Sequence, residues 1–197
     1  DVCTGILNVS QIESGNVELT ISEYNPQELL NEVIELNRKR IGNKDIKLKS
    51  NLKVLPYKFY GDKDKVKQIV SNLLSNAIKY TPDGHSIHVT IREVASDDVR
   101  KAKYVFICED TGIGMSKEYL PHIFEEFLRE KTTTENKIVG TGLGLPIVKS
   151  MIELMGGSIQ VESTQGTGTK FTVMVSLTIA SKEDVYKEPE PKLISDR

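Results

Sequence analysis

The strongest constraint on this chain is a set of glycine-punctuated segments: DTGIG from Asp110, GTGLGL from Gly140 and GTGT from Gly166. A helix-patterned stretch, SNLLSNAIKYTP, precedes them and carries Asn72 and Asn76. Glycines in such runs let backbone amides approach a phosphate closely, and a carboxylate beside one of them can accept a hydrogen bond from an uncharged amino group. A purine nucleotide asks for both kinds of contact. The spacing of Asn72 and Asn76 sets them on one helical stripe, and oxygen-rich side chains near bound phosphates point to a magnesium ion.

In that helix, Val66, Ile69, Val70, Leu73, Leu74, Ala77 and Ile78 recur at helical spacing, so one face is buried on a sheet. Asn72, Asn76, Lys79 and Tyr80 fall on the neighbouring stripe, bordering the core. One carboxamide oxygen there can ligate magnesium, and Lys79 can meet phosphate oxygens as a point charge. Asp110 follows an apolar strand, so its carboxylate can take an exocyclic amine while Gly112 and Gly114 keep the floor open. Guanine lacks that amine at the corresponding position, so such an acceptor favours adenine. The run Gly140, Thr141, Gly142, Leu143, Gly144, Leu145 opens a helix with Pro146 in its first turn, where amides and the helix dipole stabilise anions. Its spacing is not GxGxxG and GxxxxGK[ST] is absent, which excludes a dinucleotide-binding loop and an ordinary P-loop. Arg129, beside a polar segment EKTTTENKIVG read as a mobile lid, can reach a terminal phosphate. Phe124 and Phe127 read as packing anchors, and His85, His88 and His122 have no metal-ligand spacing.

Along the chain, an amphipathic pattern stops at Gly15 like the end of a longer helix. In the segment VELTISEYN, alternation of Val17, Leu19 and Ile21 against polar neighbours predicts a half-buried strand, and Asn25, Pro26 and Glu28 predict a helix opened by a reciprocal capping box and running to Gly42. Strands are expected over 46–52, around Phe59, over 85–94 and 104–108, in SIQVES and in KFTVMVSL; helices from Asp62 to Tyr80, over 117–128 and over 143–154. The resulting fold class is α+β: a two-layer sandwich with a mixed, mostly antiparallel sheet and helices on one face. The charged tail with Pro189 and Pro191 reads as a linker.

Composition narrows the function classes. A formal net charge of -2 with dispersed lysines argues against nucleic acid as a partner. Cys3 and Cys108 are isolated, which favours reduced thiols over a disulfide or metal site.

Together these residues resemble the catalytic ATP-binding domain of bacterial sensor histidine kinases, in the GHKL superfamily shared with type II topoisomerase B subunits and heat-shock chaperones. SNLLSNAIKYTP is similar to the family's N box, DTGIGM to its G1 box, IFEEFLRE to its F box, GTGLGL to its G2 box and GTGT to its G3 glycines; ILNVSQIESG resembles the end of a dimerisation helix. The resemblance implies three parts: 1–15 as the end of the dimerisation and phosphoacceptor helix, 16–178 as the ATP-binding catalytic domain, and 179–197 as a linker or tail. It implies ATP and magnesium as cofactors, Asp110 on the adenine amine and Asn76 on the metal. Lys79, Tyr80 and Arg129 would contact phosphates that the amides from Gly142 to Leu145 cradle, and Thr169, closing GTGT, joins the nucleotide contacts. Asn72 stands where hydrolysing relatives carry a water-activating glutamate, which favours transfer to a protein side chain.

The chain departs from the family pattern in one respect: its histidines, His85, His88 and His122, all lie within the ATP domain, so no phosphoacceptor is present. The implied partners are a dimerisation and histidine-phosphotransfer domain of the same protein, a response regulator or fused receiver domain, and a second copy in a homodimer. The implied location is the cytoplasmic portion of a membrane-bound sensor. A nucleotide-sensing module without catalysis and a serine kinase of the anti-sigma type stand as alternatives.

Overall fold

The computed structural model describes residues 18–53, 58–128 and 142–180. In chain order the elements are β1 (Ser22–Tyr24), α1 (Pro26–Ile41), β2 (Lys47–Lys53), β3 (Phe59–Gly61), α2 (Lys63–Tyr80), β4 (Ser86–Val94), β5 (Lys101–Asp110), a 3-10 turn (Leu120–His122), α3 (Gly144–Leu154), β6 (Ser158–Thr164) and β7 (Gly168–Ile179). The strands form one sheet in the order β1-β3-β7-β5-β4-β2, and β6 pairs with β7 beside β3. All described pairings are antiparallel except β2 with β4. β7, last in the chain, thus sits inside the sheet.

Both long helices begin as their sequences dictate. Asn25 accepts hydrogen bonds from the Gln27 and Glu28 amides at the start of α1, and Asp62 does the same for Asp64 and Lys65 at the start of α2. α2 runs between α1 and α3, and its residues Ile69, Val70, Leu73, Leu74, Ala77 and Ile78 are buried. They meet Ile87, Val89 and Ile91 of β4, Tyr104, Phe106 and Cys108 of β5, and Phe171 and Val173 of β7 in one core. Val105 is only 3% exposed yet stands outside that core, because alternation along β5 turns it to the sheet's other face. The helices therefore form a single layer, as expected for the two-layer sandwich. At its C-terminal end α2 leaves carbonyls without helical partners, and Lys44 Nζ takes those of Ile78 and Thr81 at 2.8 and 3.2 Å.

Four expectations are corrected. The strand expected in VELTISEYN forms as β1, but only over Ser22–Tyr24 among its described residues. The Thr20 amide is bonded to Asp62 Oδ2 at 2.9 Å instead of to a ladder, Ile21 is 57% exposed, and pairing starts at Ser22. The helix expected over 117–128 reduces to the 3-10 turn: Pro121 removes an amide there, and Phe127 adopts φ 60°, which ends helical geometry. Phe127 is also 59% exposed and so is no packing anchor, whereas Phe124 does pack against the core. Finally, β5 starts at Lys101 rather than Tyr104, because its whole length pairs with β7. The N-terminal helix end, the lid segment and most of the tail lie outside the described residues.

Candidate nucleotide-binding site

A cleft of about 380 Å³ opens between the C-terminal half of α2, the loop after β5, the start of α3 and the start of β7. From α2 it receives Asn72, Asn76, Lys79 and Tyr80, a stripe that the apolar face of the helix holds beside the core. Asp110, Gly114, Gly142, Gly144, Leu145 and Thr169 also border it. These residues are separated by up to most of the described chain. The fold collects them because α2, β5 and β7 all end or begin at the same edge of the sheet.

Asp110 is the chemical centre of one end. It is 8% exposed, and burial pushes its carboxyl up to about 6, against the downward pull of hydrogen bonds from the Gly112 and Thr169 amides. The Gly112 amide lies 2.9 Å from Oδ1. Gly112 is not a lining residue; it works from behind, and a side chain there would run into the Tyr80 carbonyl that accepts the Ile113 amide at 3.1 Å. Gly168, at φ 132°, allows the start of β7 to pass against the Asp110 backbone, and this close approach brings the Thr169 amide to the carboxylate. At the other end, α3 begins at Gly144 without a side-chain cap from Leu143, and Pro146 occupies its first turn. The Gly144 and Leu145 amides therefore border the cleft at a helix N-terminus, where anions are favoured. Lys79 carries its ammonium 4.8 Å above the Tyr80 ring.

Leu143 departs from its expected place: it is 1% exposed within the core and does not line the cleft. Arg129, Gly140 and Thr141 lie outside the described residues. Among the described residues no cluster of three or more His, Cys, Asp or Glu could hold a metal, and Cys108 is a buried free thiol that burial pushes well above the usual range. Sequence reasoning did not single out the apolar walls. Ile113, Met115, Tyr119, Ile123, Leu128 and Phe171 line the cleft between its polar ends. Ile113 and Met115 were within reach of inference, being interleaved with the glycines of DTGIGM, but Phe171 and Ile123 looked like any core residue.

Residues 61–179 match the family model described as histidine kinase-, DNA gyrase B- and HSP90-like ATPase. The chain belongs to this family. Among curated proteins it is 32% identical over its full length to the autoinducer 2 sensor kinase/phosphatase LuxQ of Vibrio cholerae, covering 23% of that protein. It is 34% identical to hybrid signal transduction histidine kinase B of Dictyostelium discoideum over 89% of the chain and 9% of that protein. The chain thus spans less than a quarter of the length of these relatives. Among solved structures, full-length ShkA in complex with AMPPNP superposes with a TM-score of 0.73 at 26% identity, over 90% of this chain and 35% of that one. No described helix is long and apolar enough to cross a membrane.

Proposed function

We propose that this domain binds ATP in the cleft and supplies the γ-phosphoryl group to a histidine on a dimerisation domain of the same protein. The observation that carries this reading is the pairing of a buried carboxylate, Asp110, with the polar stripe of α2 across one cleft that ends on the first residues of helix α3. The Asp110 carboxylate accepts the adenine amine. The apolar walls take the base, and the Gly144 and Leu145 amides with Lys79 hold the phosphates. By the same reading the Arg129 guanidinium contributes a cation to the terminal phosphate.

A magnesium ion fits the donor set only in company with the nucleotide. With no acidic cluster among the described residues, Asn76 offers one carboxamide oxygen at the cleft wall, and phosphate oxygens and water would complete the coordination. When bound, the ion would neutralise phosphate charge. Asn72 borders the same space and is a poor base, and Asp110 is the one carboxylate among the described lining residues. That carboxylate is occupied at the base end. Water is therefore left without a residue to deprotonate it, which favours transfer to a protein acceptor over hydrolysis.

Mixing the domain with a separately folded dimerisation and histidine domain and γ-labelled ATP should yield acid-labile phosphate on that partner. Acid-stable phosphate would reassign the domain to serine kinases, and calorimetric binding without transfer would make it a sensing module. From the reading follow a homodimeric parent protein, a receiver domain downstream or fused, and a location on the cytoplasmic side of a membrane sensor.

A further inference from the structure

Ser163, on β6 and outside every motif read from the sequence, is bonded in three directions. Its Oγ accepts the Met115 amide at 2.9 Å, lies 2.9 Å from the Gly168 carbonyl and 2.9 Å from Thr169 Oγ1. An amide N–H can only donate and a carbonyl can only accept. Ser163 therefore gives its one proton to Gly168, and the Thr169 hydroxyl gives its own to Ser163. What Thr169 retains for the cleft it lines is acceptor capacity alone. Beside it stands the ionised Asp110 carboxylate, also an acceptor, bound from behind by the Thr169 amide.

We propose that Ser163 is a specificity-determining positioning residue: by fixing the proton of the Thr169 hydroxyl, it makes the base end of the cleft a wall of acceptors. Such a wall selects a base edge that carries an exocyclic amine and rejects one that carries a carbonyl oxygen there. Without the serine oxygen, the Thr169 hydroxyl turns freely and can donate to a guanine carbonyl, and the Met115 amide loses its acceptor. The inference rests on the nucleotide reading given above, and it explains why a residue of β6 with no place in the cleft is tied at once to the loop after β5 and to the start of β7.

The test is the ratio of dissociation constants for ATP and GTP, measured by calorimetry for the unaltered domain and for Ser163→Ala, Ser163→Thr and Ser163→Val. Loss of one neutral hydrogen bond's worth of discrimination predicts that Ser163→Ala lowers the preference for ATP about tenfold, chiefly by improving GTP binding. Ser163→Thr, which keeps the hydroxyl, should retain the original ratio. A brace that acts only on structure would weaken both nucleotides equally, and an unchanged ratio in Ser163→Ala overturns the proposal. Should Ser163→Ala not fold, the near-isosteric Thr and Val variants, both suited to a strand, decide it: equal ratios in the two overturn it. An unaltered domain that binds neither nucleotide sinks the nucleotide reading and this one with it, whereas ATP preference preserved without the hydroxyl sinks this one alone.

Discussion

Asp110 is held at a cost that its environment makes measurable. Burial raises its carboxyl from 3.8 to about 6 in the folded protein, so keeping it ionised above that pH costs about 3 kcal/mol. The stability contributed by the protonated form is complete below pH 3.8 and is lost as pH rises through about 6. Urea titrations at pH 5 and pH 7.5 should show this slope in the native protein and a shallower one in Asp110→Asn. Binding runs the opposite way. An ionised acceptor is needed, so ATP affinity should fall as pH drops below about 6, and calorimetry across that range checks it. At pH 7.5 Asp110→Asn should weaken ATP by about ten- to a hundredfold, the value of one charge-assisted hydrogen bond. Unchanged affinity would remove Asp110 as the purine reader. Asn76→Ala should remove most of the dependence of nucleotide affinity on added magnesium, and a persistent dependence would place the ion elsewhere.

Among the elements, α2 does two jobs with two faces, and each can be broken separately. Leu73 is fully buried on the core side, and Leu73→Ala should cost about 2 to 5 kcal/mol in chemical unfolding. Asp62→Ala should cost about 1 to 2 kcal/mol, because the carboxylate caps the helix and also holds the Thr20 amide. α2 was fully legible, since its apolar period, its cap and Pro82 beyond its end all agree. So was the start of α1, although only the Asn25 half of its expected capping box is made. The stretch around Pro121 was not legible. Its aromatic and aliphatic spacing imitates a helix, but what decides its path is a distant contact, the Phe127 amide bonded to the Gly142 carbonyl at 3.2 Å. The strand read in VELTISEYN starts late for a similar reason, because the Thr20 amide is claimed by an aspartate far along the chain. In the cleft, polar and glycine residues announced themselves by type and order. Ser163 did not, because a serine in a strand has meaning only once its cross-strand partners are known.

For the whole molecule, the cleft is a property of the finished sheet, so filling it should stabilise the entire fold. At a nucleotide concentration about a hundred times its Kd, linkage adds about 2.7 kcal/mol, which for a domain of this size raises Tm by about 5 to 10 °C. Differential scanning calorimetry with and without ATP tests this, and Asp110→Asn should lose most of the shift at the same concentration. β7 is flanked by β5 on one side and by β3 and β6 on the other, while its first residues help to build the cleft. A chain ending before Gly168 lacks Thr169 and Phe171 of the cleft lining along with the strand that joins β5 to β3, so a version truncated there should lose the nucleotide-dependent rise in Tm.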